Sequence, residues 1–394
     1  YVCFITKQRR IKKKERRVIY MNAVSSCFPP NQYRQSQMKE KFIENYCGGC
    51  KNILEEDLNF IDKVFQKSMI ETCYVNLPEN ELFKGFNRET YTKYVKSTLF
   101  DLACRAGRDV ISQSNFSCED ITHIVFGTMT STIYAPTLDV LIMQELNLNL
   151  NTKRLNVEAM GCITGFRLTG LCRDIALQDE HNVVLLLVCD VRSALGNQLI
   201  PHKAGQPIEK QNVIVSALFR DSGGAAIFSQ NKSGVSVIDH RSYLLPDSYD
   251  FALLQEYDNG YIHLYLDKQL PVCVFQHVPL LVTELLIEYQ LKKESCLFAV
   301  HTGGPKIIRG IQQCLELKEE QLCASWYVMK NYGNLSGSSN LVVMHHIERM
   351  HNCTFNQSIL TDEIVMPKDF SIYTYVVGLS FGPGIAVECV LFQF

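Results

Sequence analysis

Residues 183–189 are seven apolar residues in a row, closed off by Asn182 on one side and Asp190 on the other. A run so short falls well below the roughly 20 residues that a membrane helix needs. Its length and branched side chains read instead as a strand. It is the strongest apolar stretch in the chain, so no membrane span is expected. Upstream, residues 91–113 place Tyr94, Val95, Leu99, Leu102, Ala103, Ala106 and Val110 at helical spacing, and residues 121–127 follow as a buried strand. A strand at 155–159 and a helix at 166–178 lead into the apolar run, which makes this stretch an α/β layered unit.

The rest of the chain keeps the same style. A short β-branched segment at 17–22 and the punctuation Pro29-Pro30-Asn31 precede a helical pattern at 35–46. Residues 218–228 and 235–239 are extended, helices are predicted at 271–291 and 306–317, and a strand at 296–301 lies between them. Extended runs at 373–381 and 385–394, joined through Gly382-Pro383-Gly384, predict a closing hairpin. The organisation expected is a basic leader or linker at 1–17, an N-terminal half at 18–234 and a C-terminal half at 235–394. Alternation of elements, without a visible sequence repeat, suggests that the halves are alike.

The chain has 394 residues, 46% hydrophobic and 20% charged, enough for two core-forming halves. A formal net charge of -2 gives no pull toward nucleic acid or an anionic membrane, so small-molecule chemistry fits better. The basic run from Lys7 to Arg17 reads as a solvated segment rather than a nucleic-acid arm. The chain opens on Tyr1 rather than Met, as a piece cut from something longer would. Sixteen scattered cysteines without a secretory leader are expected to be reduced thiols in the cytoplasm.

Cys162 stands out among them. It lies in Met160-Gly161-Cys162-Ile163-Thr164-Gly165, between a predicted strand and a predicted helix, where small residues permit a tight turn. At a helix N-terminus the unpaired N–H groups favour the thiolate, lowering the thiol pKa and making a nucleophile toward thioesters. Taken alone, the same residue reads equally as a small buried thiol. His301 ends a predicted strand before Thr302-Gly303-Gly304-Pro305. Asn334, an amide donor, sits in the small-residue loop Asn331-Tyr332-Gly333-Asn334-Leu335-Ser336-Gly337-Ser338-Ser339, ahead of a helix starting near Asn340. Either one alone is an ordinary polar residue; with Cys162 the pair becomes a candidate catalytic set.

These segments resemble the type III polyketide synthases, the chalcone- and stilbene-synthase-like enzymes of the thiolase fold. Gly161-Cys162 with Gly165 is similar to the family's nucleophile segment, Ala217-Leu218-Phe219-Arg220-Asp221 to its gatekeeper segment, and His301-Thr302-Gly303-Gly304-Pro305 to its histidine segment. Tyr332-Gly333-Asn334-Leu335-Ser336 and Gly382-Pro383-Gly384 complete the order, from about Val18 to the C-terminus. The resemblance implies an α/β thiolase-like fold, two similar βαβαβ-type halves forming a layered αβαβα core. It implies Cys162 as the acyl-carrying nucleophile, with His301 and Asn334 hydrogen-bonding a malonyl thioester oxygen. A protonated His301 beside the thiolate would form an ion pair.

Phe219, Leu254, Thr130, Ser131 and Ser336 are expected at the substrate cavity, and Lys63 and Lys67, one helical turn apart, at CoA phosphates. His263 falls where plant members carry a second gatekeeping phenylalanine, Gly196 at a cavity-lining threonine, and Arg220 in place of a glycine beside the first gatekeeper. Leu254 would narrow the pocket and Gly196 would widen it; together these changes argue against a plant-like coumaroyl starter, and a narrow apolar pocket would suit an aliphatic acyl chain. Malonyl-CoA and an acyl-CoA or carrier-bound acyl thioester would be substrates, with no cofactor, and a homodimer is the family's usual assembly. The basic start without Met resembles the Steely-type hybrids, in which a type III domain follows a fatty-acid-synthase-like megasynthase whose acyl carrier protein delivers the starter.

The function implied is iterative: starter loading on Cys162, decarboxylative Claisen extension with malonyl-CoA, and cyclisation to an acylphloroglucinol, alkylresorcinol or pyrone. A single-round initiating ketoacyl synthase shares the Cys, His and Asn set. A hydroxymethylglutaryl-CoA synthase relative would need a catalytic Glu that has no evident place, and a non-catalytic thiolase-fold scaffold would not need the three residues. Cys47-Gly48-Gly49-Cys50 has half-zinc-site spacing without a second pair, and no Walker-type or dinucleotide glycine loop stands in a strand-to-helix context. Metal, ATP and nicotinamide are therefore not indicated.

Overall fold

The computed structural model describes residues 17–130, 135–256, 261–352 and 364–394. Its strands are β1 (Ile19–Cys27), β2 (Asn31–Arg34), β3 (Thr72–Val75), β4 (His123–Thr128), β5 (Lys153–Glu158), β6 (Val184–Val191), β7 (Asp221–Ser229), β8 (Val235–Leu244), β9 (Ala252–Glu256), β10 (Ile262–Leu266), β11 (Cys296–Val300), β12 (Tyr375–Gly382) and β13 (Ala386–Gln393). Its helices are α1 (Gln35–Lys41), α2 (Glu55–Lys67), α3 (Arg88–Gln113), α4 (Leu138–Glu145), α5 (Thr164–Gln178), α6 (Lys210–Leu218), α7 (Leu270–Glu288), α8 (Pro305–Cys314), α9 (Cys323–Tyr332) and α10 (Ser339–His351).

Among the described residues nine strands form one sheet, in the order β11-β12-β13-β8-β1-β7-β6-β4-β5. Outward from the β1–β8 seam the two directions repeat one pattern. β1 pairs antiparallel with β7, β7 antiparallel with β6, and β6 parallel with β4. On the other side β8 pairs antiparallel with β13, β13 antiparallel with β12, and β12 parallel with β11. The N-terminal half adds one more parallel strand, β5. The seam itself is short, running from Ile19↔Val237 to Met21↔Val235. The halves are thus alike in pairing, as the alternation of elements predicted, and the architecture is the α/β, thiolase-like one.

β6 explains the layering. Val184, Leu186 and Val188 face a cluster that contains Phe166 and Leu168 of α5 and Leu341 of α10. Leu185, Leu187 and Cys189 face Leu99 and Leu102 of α3 and Ile142 of α4. Successive strand residues point to opposite faces, so a strand covered on both is apolar at every position. β11 repeats the arrangement: Leu297 and Ala299 face the central cluster, while Cys296, Phe298 and Val300 face α7 and α8. Helices α5 and α10 therefore form the middle layer between two half-sheets, with α3–α4 and α7–α8 outside.

One expectation needs correction. Helix α7 is long and apolar enough to cross a membrane by length and composition; a search for uninterrupted apolar runs passes over it because Gln276, His277 and Glu284 break the run. In the fold it lies against the C-terminal half-sheet through Val274, Val278, Val282 and Leu285. The described cysteines are free thiols.

Phe166, fully buried and packed 6.2 Å from Phe392, tests the central layer. Phe166→Ala is expected to cost about 3–5 kcal/mol in denaturant unfolding. Leu150→Ala, at a side chain 91% exposed, should stay within about 0.5 kcal/mol of the parent; equal losses would contradict the assignment.

Candidate active site

Strand β5 runs into a tight turn that delivers Cys162 to the start of α5. Gly161 makes the turn with a φ of +69°, and a Cβ there would stand 2.4 Å from Pro383 Cδ. Glycine is required by the backbone and by the close approach of the β12–β13 hairpin. The Cys162 carbonyl accepts a hydrogen bond from Asn340 Nδ2 at 3.0 Å. A Cβ on Gly165 would lie 2.6 Å from the Gly337 carbonyl oxygen, so the first turn of α5 is pressed against the Ser336–Ser338 turn that leads into α10.

His301 follows β11, and its N–H donates to the Leu379 carbonyl at 2.9 Å. Its Nδ1 is 2.6 Å from Ser339 Oγ, and that hydroxyl donates to the Ser336 carbonyl at 2.7 Å. A hydroxyl has one proton, so toward the imidazole it accepts; this assigns the proton to Nδ1 and leaves a lone pair on Nε2. Asn334 is tied to the gatekeeper segment by two backbone bonds of 2.9 Å, from Asn334 N–H to the Leu218 carbonyl and from Arg220 N–H to the Asn334 carbonyl. Its Oδ1 accepts from Ser336 N–H at 2.9 Å. The Nδ2 amino group, with only a 3.4 Å contact to the Gly303 carbonyl, is left for a ligand. Ser336 Oγ stands 4.0 Å from Cys162 Sγ.

Cys162, His301 and Asn334 line one cavity of about 220 Å³ together with Phe219, Leu254 and Leu264. A second cavity of about 460 Å³ adjoins it, and the two share Met129, Arg192, Ala252, Leu254 and Pro383. Beneath them Asp190 is fully buried; its Oδ1 accepts from Met129 N–H at 2.6 Å and its Oδ2 from Gly337 N–H at 3.0 Å. Burial raises its pKa, opposed by the charge of Arg192. Burial also pushes the Cys162 thiol up to about 11, against the pull of Arg192 and the Ser336 contact, and pushes His301 down to about 3. Burial thus works against charge on both groups, opposing the ion pair expected from sequence.

The descriptions of chalcone and stilbene synthases match nearly the whole chain, the N-terminal domain over residues 6–231 and the C-terminal domain over residues 241–394. The chain belongs to the chalcone and stilbene synthase family. The chain is 29% identical over 348 residues to polyketide synthase 37 of Dictyostelium discoideum, a match that covers 85% of the chain but only 11% of that relative's length. It is 27% identical over 350 residues to the alpha-pyrone synthesis polyketide synthase-like Pks18 of Mycobacterium tuberculosis, covering 84% of this chain and 82% of that one. The crystal structure of the C-terminal type III polyketide synthase domain of Steely1, a type I/III hybrid from Dictyostelium, aligns with a TM-score of 0.79 at 21% identity, over 95% of this chain and 99% of that one. That likeness bears on fold. Polyketide-forming condensing acyltransferases are the family's class, and the one expected from the sequence.

Phe219, Leu254 and Ser336 line the cavity that holds Cys162, whereas four other positions are placed differently from the expectation. β10 pairs with β9 so that Leu264 lies opposite Leu254 and His263 opposite Gln255. Leu264 and Leu266 consequently line the cavity, and His263 points to the other face of the ribbon, because a one-residue slip in a strand reverses the side chain. Thr130 accepts from Val191 N–H at 3.0 Å, and Met129 takes the cavity position. Ser131 lies outside the described residues. Gly196 packs against Phe83, whose ring would be 2.7 Å from a Cβ; Leu195 lines the larger cavity instead. Arg220 turns away from the entrance, donating to the carbonyls of Ser216, Ala217 and Phe219 and to Gln35 Oε1. There it closes the C-terminal end of α6, where carbonyls lack helical partners. Lys63 and Lys67 stand on the exposed face of α2, whose other face buries Ile61 and Phe65. Asp190, Arg192 and Ser339 carried no expectation, although two charges closing an all-apolar strand were the signal.

In Cys162→Ala protein no thiolate can pair with the imidazole. An NMR titration should find His301 still neutral at about pH 5; an ordinary midpoint near 6.5 would contradict the effect of burial.

Proposed function

We propose that this chain is an iterative polyketide synthase that loads an acyl starter on Cys162 and extends it by decarboxylative Claisen condensation with malonyl-CoA. The observation that carries this reading is the meeting, in one cavity, of a helix-terminal thiol, an imidazole with an Nε2 lone pair and an amide whose Nδ2 is left for a ligand. A bound starter displaces water, and His301 Nε2 takes the Cys162 proton. The thiolate attacks the thioester carbonyl, the acyl group passes to sulfur, and CoA leaves as a thiolate that takes its proton from solvent. The imidazolium keeps its Nε2–H.

Malonyl-CoA then places its thioester oxygen against that N–H and Asn334 Nδ2. Breaking the carboxyl C–C bond releases carbon dioxide and leaves an enolate whose charge falls on this oxygen, where the two donors stabilise it more than the substrate. The enolate carbon attacks the Cys162 thioester, and Cys162 departs as a thiolate ready to be reloaded. Phe219 stands between the CoA approach and the interior, and Lys63 and Lys67 meet CoA phosphates. The apolar lining from Leu254, Leu264 and Ile307 suits an aliphatic starter, with closure to an acylphloroglucinol, alkylresorcinol or pyrone. Similarity to a small part of a long Dictyostelium polyketide synthase supports starter delivery by a linked or associated acyl carrier protein. A cytoplasmic homodimer completes the proposal.

Mass spectrometry of products from malonyl-CoA and a panel of acyl-CoA starters tests it, beside Cys162→Ala. Products lengthened by two or more malonyl units and absent from the control are expected. Single extensions would favour an initiating ketoacyl synthase, and no Cys162-dependent product a scaffold. Asn334→Ala should slow malonyl-CoA decarboxylation about 100- to 1,000-fold while Cys162 still accepts a starter.

A further inference from the structure

Arg192 makes and breaks no bond in the steps above, yet it lines both cavities. It follows β6 two residues after Asp190, is 3% exposed, and its Nε is buried without a partner. Among the described residues its guanidinium forms no hydrogen bond or ion pair. The Asp190 oxygens are taken by Met129 N–H, Thr128 Oγ1 and Gly337 N–H, so that carboxylate acts on Arg192 only through space. Among the described residues the Phe219 ring lies against it, its centroid 5.5 Å from the guanidinium carbon, and its charge acts on the Cys162 thiol and the Tyr91 hydroxyl. A guanidinium stays charged when buried, and a buried charge calls for an anion.

Because Arg192 lines both the cavity of Cys162 and the larger one beside it, an acyl chain growing from the first into the second would meet it. A saturated chain offers it nothing. A β-oxoacyl chain does, since the carbon between its two carbonyls gives up a proton to solvent and leaves an enolate oxygen that arginine binds with charge-assisted hydrogen bonds. We propose that Arg192 is an anion-binding residue for the enolised 1,3-dicarbonyl of the Cys162-bound chain, holding it for further extension and fixing how it folds to cyclise. The proposal rests on the iterative reading. A carboxylate at the far end of the starter shares this chemistry, so the test includes both sources.

Wild type, Arg192→Leu and Arg192→Lys are given malonyl-CoA with octanoyl-CoA or succinyl-CoA, and starter loading is followed separately by intact mass, with thermal unfolding to confirm that each variant folds. In Arg192→Leu protein the ratio of multiply to singly extended products, counted per octanoyl-loaded enzyme, should fall about 10-fold or more. Arg192→Lys, which keeps the charge without the fork, should fall less and carries the test if the leucine variant does not fold. Unchanged product lengths in the variants overturn the proposal. So does loss of loading in a folded variant, which assigns Arg192 to the thiolate, or a wild-type preference for succinate that disappears in the variants, which assigns it to the starter. Failure of wild type itself to form an acyl-enzyme sinks the underlying function instead.

Discussion

Helix α5 is walled in by the two half-sheets and by α10, and this burial governs the site. Phe166, Leu168 and Cys172 are inaccessible to water, so the helix cannot shift without opening a cavity in a close-packed interior. Its N-terminus must end against other backbone. Gly161 beneath Pro383, Gly165 beneath the Gly337 carbonyl and Asn340 on the Cys162 carbonyl are what it meets. Cys162 is thereby fixed where the β12–β13 hairpin and the start of α10 converge, and the loop that carries Asn334 is fixed with it.

The second consequence is electrical. Enclosure disfavours charge on both groups, pushing the Cys162 thiol up to about 11 and the His301 imidazole down to about 3. The two buried charges beside them play different parts: Asp190 is hydrogen-bonded into the scaffold, joining β6 to the end of β4 and to the Asn334 loop, whereas Arg192 is left facing the cavity.

Much of this was legible in the sequence where one physical requirement acts on many residues at once. The all-apolar β6, the helical spacing across α3 and the Gly382-Pro383-Gly384 hairpin each express such a requirement, and the Cys162, His301 and Asn334 segments could be read together as one set. Cavity lining was less legible, because it turns on register. His263 against Leu264, Thr130 against Met129 and Gly196 against Leu195 each differ by one position, and nothing within a single chain says which of two neighbours faces inward. Arg220 and Arg192 show the same limit for charge: one closes a helix end and the other faces the cavity, and only the fold tells them apart.

The central claim is that Cys162 is the acyl-carrying nucleophile among many free thiols. Incubation with an acyl-CoA starter alone, followed by digestion and mass spectrometry, tests it most directly. One acyl group on the peptide that carries Cys162, absent from Cys162→Ala protein, is the result expected. Acylation spread over other cysteines, or starter turnover that continues in Cys162→Ala protein, would contradict it.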